Sequence, residues 1–232
     1  MTVELTAEAF EVRLRAHQSD EELAKIQRYF TSGLEQFIGV RMGTVFELAK
    51  ESIDMPLDEI EAMLESDVHE MRVGALSIMA KKAAHKKTGD ETRQALFDLY
   101  LRRHDRINNW DLVDLAARHV IGLWLVDKPK DVLHELSRSD NMWERRTALY
   151  ACVPLIAHHQ TADALAISAR LVGDPEELIH KAVGTVLRSV GQEDRGALLA
   201  FLDEHASRMP RTMLTYAIEH LDTGQKSDYR SR

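Results

Sequence analysis

The chain is poor in residues that break secondary structure. It has 11 glycines and 5 prolines in 232 residues, about 7% together against roughly 12% in average usage. An all-β chain needs a turn every ~8–12 residues, usually built from Gly, Pro, Asn or Asp. That punctuation is missing, so an all-α fold is expected. There is one cysteine, Cys152, which excludes an intrachain disulfide framework. The longest apolar stretch, Val120 to Val126, is too short to cross a bilayer. Met1 to Ala9 carries Glu4 and Glu8 and has no apolar core, so no secretory signal is read there and a cytoplasmic location is expected.

Charge is plentiful but unevenly placed. The net charge is −8, which by itself disfavours a polyanion partner. Residues 1–66 hold 14 acidic and 6 basic side chains, whereas residues 67–232 hold 24 of each. Residues 67–107 alone hold 9 basic and 6 acidic. This distribution permits a basic face for a polyanion and equally permits a solvated mixed surface.

The pattern reads as short amphipathic helices. They are expected at 21–30, 42–50, 57–64, 68–86, 91–103, 110–126, 129–137, 142–157, 161–171, 175–190, 194–205 and 210–221, with Asp20 capping the first. Pro154 should kink its helix or mark a boundary. Residues 1–222 are expected to form one domain and 223–232 a polar, frayed tail. A weak repeat pairs Arg72 with Ala75, Asp111 with Asp114, Arg145 with Ala148, Lys181 with Gly184, and Arg211 with Leu214. Successive pairs are 39, 34, 36 and 30 residues apart, the period of two-helix solenoid repeats. Stacked repeats would line one concave surface with their second helices.

Two stretches could carry chemistry. In Arg106-Ile107-Asn108-Asn109-Trp110-Asp111-Leu112-Val113-Asp114, Trp110 and Asp114 are four apart and share a helix face. Asp111 suits a helix N-terminus, but Asp114 lies in the second turn, where the dipole benefit has faded. In Ser139-Asp140-Asn141-Met142-Trp143-Glu144-Arg145-Arg146, two arginines open a helix against its dipole. They await either an anionic partner or a local carboxylate such as Asp140 or Glu144. The histidines show no zinc-ligand spacing, and neither a P-loop nor a dinucleotide fingerprint is present. No metal or cofactor is therefore expected.

These stretches resemble the AlkD-type DNA alkylation repair family, glycosylases built of HEAT-like two-helix repeats. The similarity runs through Gln27-Arg28-Tyr29-Phe30, Phe37-Ile38-Gly39-Val40, the Trp110 and Arg145 segments, His180-Lys181-Ala182-Val183-Gly184 and Met209-Pro210-Arg211-Thr212-Met213-Leu214. It covers roughly residues 20 to 222 in the family's order. The resemblance implies an α-solenoid whose concave face binds duplex DNA containing alkylated bases. It implies hydrolysis of the N-glycosidic bond of N3- and N7-alkylated purines, and the chain is expected to act as a monomer. It puts the catalytic carboxylate on Asp114, an active-site Trp on Trp110, and a backbone-contacting arginine on Arg146. Tyr29 would lie along the DNA, with Arg145, Lys181 and Arg211 as further contacts. A second family Trp should fall within 181–188, where this chain has Thr185. That departure leaves open a non-catalytic member that binds damaged or branched DNA. A protein-binding helical scaffold is a separate and more distant alternative.

Overall fold

The computed structural model describes residues 4–28 and 36–232. Apart from one isolated bridge between Gln36 and Val68, these residues form helices and connecting turns. The chain folds as two compact units, residues 1–116 and 117–232.

The first unit holds α1 (Ala7–Arg15), α2 (Asp20–Ile26), α3 (Met42–Glu51), α4 (Leu57–Leu64), α5 (His69–Ala84), α6 (Asp90–Arg102) and the start of α7 (Trp110–Ala117). The helix α1 is absent from the sequence reading. Thr6 starts it, its hydroxyl accepting from the Ala9 N–H at 3.1 Å. Ser19, not Asp20, caps α2, leaving Asp20 to complement the dipole from inside the first turn. The central element is α5, packed against α3, α4 and α6. It is buried continuously from His69 to Ala80, so polar as well as apolar side chains enter the interior. Close approach shows at Gly74, where a Cβ would lie 2.7 Å from the Phe10 ring.

Glu70 organises the loop beside α5. Its carboxylate is fully buried and accepts hydrogen bonds from the N–H groups of Ile38, Gly39 and Val40 at 2.9–3.3 Å. Gly39 has φ of +77°, and a Cβ there would sit 2.3 Å from the Ser19 carbonyl. Only glycine suits both constraints.

The second unit continues helically through a π-turn (Arg118–Gly122) into α8 (Leu123–Leu125). It then adds α9 (Asp131–Leu136), α10 (Met142–Ala157), α11 (Ala162–Arg170), α12 (Glu177–Glu193), α13 (Arg195–His205), α14 (Arg211–Ala217) and α15 (Thr223–Ser231). Two layers emerge from their packing. The helices α10, α12 and α14 follow one another in one layer, and α9, α11 and α13 in the other. The marker pairs beginning at Arg145, Lys181 and Arg211 all fall in the first layer. Gly184 sets the α12–α14 distance, since a Cβ would lie 2.5 Å from Tyr216 Cβ. Asn141 caps α10 and Asp194 caps α13, while α10 runs through Pro154 to Ala157.

The C-terminal segment differs from the frayed tail read in the sequence. Asp222 caps α15, accepting from Gln225 N–H at 2.9 Å. Tyr229 is buried and donates to Asp203 at 3.0 Å. One aromatic anchor and one cap order a polar segment that composition alone assigns to solvent.

Candidate functional site

The Trp110 segment is held from several directions within the first unit. Arg106 donates to the carbonyls of Leu64, Glu65 and Ser66 at 3.0–3.1 Å. It thereby satisfies carbonyls at the C-terminus of α4 that the helix leaves without partners. Asn108 accepts from Arg72 Nη1 at 3.0 Å. Asn109 is buried, and its side chain accepts from the Trp110 N–H at 2.8 Å. The two asparagines therefore divide their work: Asn109 opens α7 and Asn108 ties it to α5.

Asp111 has a more specific role than complementing a helix dipole. Oδ1 accepts from the Leu112 N–H at 2.9 Å, and Oδ2 lies 2.7 Å from His69 Nε2. His69 is fully buried, with its ring 4.7 Å from that of Phe37. The first turn of α7 is thus pinned to the first turn of α5. Leu112, Val113 and Ala116 are fully buried, which sends Trp110 and Asp114 to the opposite side of the helix. Trp110 is 40% exposed, and Asp114 is half-buried.

Beside Trp110 is a pocket of about 400 Å³ lined by Ile26, Met42, Phe46, Val73, Trp110, Asp111 and Leu115. Leu115, one residue after Asp114, stands in its wall. Asp111 is the one acidic residue of this lining, and its carboxylate is already hydrogen-bonded. Among the described residues, no group of three His, Cys, Asp or Glu side chains could hold a metal ion.

The candidate basic residues of the second unit have partners within the chain. Arg145 forms a two-pronged pair with Asp174 at 2.7 and 3.2 Å and donates to the Ser139 and Asp140 carbonyls at 2.9 Å. Asp174, 29 residues away, supplies its carboxylate in place of Asp140 or Glu144. Arg146 is buried, donating to the Leu178 carbonyl at 2.6 Å and to the Tyr150 hydroxyl at 3.2 Å. Its guanidinium also lies 4.8 Å from the Tyr150 ring centroid. Both arginines knit α10 to neighbouring segments. Lys181 pairs with Glu177 at 3.0 Å, and Arg211, at the start of α14, donates to the Arg230 carbonyl at 3.1 Å. Thr185 is half-exposed on α12. Tyr29 lies outside the described residues.

Sequence reasoning passed over His69, Glu70, Arg118 and Tyr150. For the last two a signal was available. Arg118 stands four residues after Asp114, and Tyr150 four after Arg146, the spacing that puts side chains on one helix face.

The fold is all-α. It is similar to the solved structure of a predicted DNA alkylation repair enzyme from Enterococcus faecalis, with a TM-score of 0.70 and 19% sequence identity. The similarity covers 89% of this chain and 98% of that one. No curated protein matches the sequence. The family model for DNA alkylation repair enzymes matches residues 10–221, and the chain belongs to that family. Its role is therefore in DNA repair. No helix among the described residues is long and apolar enough to cross a membrane.

Proposed function

We propose that the protein is a DNA glycosylase that hydrolyses the N-glycosidic bond of N3- and N7-alkylated purines in duplex DNA, leaving an abasic site. The observation that carries this reading is the pairing of an exposed Trp110 with Asp114 one turn later, on a helix pinned at its start by His69 and Arg72. An alkylated purine already carries positive charge, so it departs with the bonding electron pair and needs no general acid. The sugar becomes oxocarbenium-like, as in glycoside hydrolysis. A fixed carboxylate at Asp114 stabilises that charge and orients the water that adds to C1′. The Trp110 face packs on the sugar and contributes cation–π attraction of about 0.5–2 kcal/mol. Lys181 and Arg211 are the proposed phosphate contacts on α12 and α14, fixing register without reading sequence. The chemistry calls for neither a metal nor a redox cofactor, and the protein acts as a monomer in the cytoplasm.

Thr185 favours a second reading. In place of a second aromatic wall it offers a small side chain, which suits a family member that binds damaged or branched DNA without excising a base. The two readings separate in one experiment. Release of 7-methylguanine and 3-methyladenine from methylated duplex is measured for wild type and Asp114→Asn. The glycosylase reading expects release by wild type and a loss of about 10²–10³-fold in the variant with binding retained. Binding without release by wild type would establish the second reading instead.

A further inference from the structure

The second unit carries a cationic cluster that the proposed chemistry leaves unused. Arg118 opens the π-turn after α7, and its guanidinium carbon lies 5.0 Å from the Tyr150 ring centroid. Arg146 lies 4.8 Å from the same centroid. Two guanidiniums therefore share one aromatic ring, each within cation–π range. Their situations differ. Arg146 is buried and donates to Leu178 and Tyr150. Arg118 is partly exposed, and its Nε is buried with no hydrogen-bond partner among the described residues. Like charges repel, and a buried donor without an acceptor is costly. Because Arg118 is partly exposed, an anion that reaches its guanidinium from solvent offsets the repulsion between the two charges.

The position of Arg118 is built, not incidental. The Leu123 N–H reaches back to the Arg118 carbonyl, closing a π-type turn, a feature that recurs at functional sites. The turn is pressed against α10 at Gly122, where a Cβ would lie 2.4 Å from the Ala151 carbonyl and 2.8 Å from the Pro154 ring. The same helix carries Arg146 and Tyr150. Gly122 thus allows the turn that carries Arg118 to approach the helix that carries the tyrosine.

We infer that Arg118, braced by Tyr150 and Arg146, is a binding site for a phosphodiester oxygen of the DNA backbone. Planar guanidinium donors match phosphate geometry, and Tyr150 holds the head group in place before the ligand arrives. Arg146 supports the ring, while Arg118 makes the contact. This inference rests on the DNA reading above and names one residue that grips the backbone.

The test is the salt dependence of duplex binding by the full chain. Each phosphate neutralised contributes about −0.9 to the slope of log K against log salt. Arg118→Gln is expected to reduce the slope by about 0.9 and to weaken binding several-fold at 0.1 M salt, with Arg118→Lys restoring most of the slope. Tyr150→Leu should lower affinity more than Tyr150→Phe, which keeps the ring. Binding with an unchanged slope in Arg118→Gln would overturn this inference and leave the DNA reading intact. No duplex binding by wild type at low salt would overturn both. If Arg118→Gln fails to fold, arginine-selective modification of the wild type by phenylglyoxal takes its place. Protection of Arg118 by duplex supports the site, and equal labelling with and without duplex refutes it. Protection by inorganic pyrophosphate but not by duplex would show a free-anion site and refute the backbone contact.

Discussion

His69 Nε2 and Asp111 Oδ2 meet at 2.7 Å across 42 residues of chain, joining the first turn of α5 to the first turn of α7. One partner is fully buried and the other sits at the pocket wall. The contact therefore links the interior of the first unit to the helix that presents Trp110 and Asp114. His69→Ala removes both the ring packed on Phe37 and the partner of Asp111. It should cost about 2–4 kcal/mol, read as a lowered thermal midpoint. Asp111→Asn keeps a polar group opposite His69 and should cost less. Equal stability of wild type and His69→Ala would show that the pair does not hold α7.

Glu70 is the corresponding anchor for the 38–40 loop. Its carboxylate is the shared acceptor for three backbone N–H groups, so Glu70→Ala leaves those donors in a buried site. Each such group costs about 1–3 kcal/mol, and the whole loop should release. Hydrogen exchange at Ile38, Gly39 and Val40 is expected to accelerate in Glu70→Ala and less in Glu70→Gln. Unchanged protection of those three amides would refute the anchoring role.

Gly184 and Gly173 make a contrasting pair. A Cβ at Gly184 would lie 2.5 Å from Tyr216 Cβ and 2.6 Å from the Met213 carbonyl, whereas a Cβ at Gly173 meets nothing within 4 Å. Gly184→Ala forces α12 and α14 apart and should cost about 1–3 kcal/mol. Gly173→Ala should stay within about 0.5 kcal/mol of wild type. Denaturant midpoints of the two variants decide the matter, and equal midpoints would remove the close-packing argument.

The docking of α15 should depend on pH from both sides. Arg232, then the Tyr229 hydroxyl, hold the Asp203 carboxyl below its ordinary value. A lowered folded value contributes stability above the unfolded value, about 4, and the contribution is lost as pH falls through the folded value. Burial, then Asp203, push the Tyr229 phenol upward. The folded state then favours the neutral phenol, and that contribution fades once pH rises above the unfolded value of about 10. Limited proteolysis at the C-terminus should be slowest between these limits and faster outside them. Tyr229→Phe should abolish the alkaline limb. A profile of cleavage that is flat across the whole range, after correction for the protease itself, would refute the coupling.

Much of the helical plan was legible in order and spacing. The scarcity of glycine and proline and the periodic apolar residues announced an all-α chain, and α3–α6 and α9–α14 lie close to their expected spans. The Trp110–Asp114 spacing also held: the two side chains lie away from Leu112, Val113 and Ala116, because helical periodicity is local. The short α1 and α15 were not legible. Each depends on a cap and on one or two apolar residues meeting distant surfaces, as Phe10 meets the position of Gly74 and Tyr229 meets Asp203. Their composition resembles that of exposed segments.

The sequence by itself determined the secondary-structure class and the family-like order of motifs, since these follow from periodicity and residue type along the chain. Tertiary structure alone decided which charges are spent inside the protein. Arg145 turned to Asp174, Arg146 to Leu178 and Tyr150, and Asp111 to His69, while Arg118 kept a buried Nε without a partner among the described residues. An arginine in a sequence carries the same charge wherever it stands. Whether that charge is available to DNA depends on carboxylates and carbonyls that folding brings from some 30 or 40 residues away, and no local pattern encodes that distance.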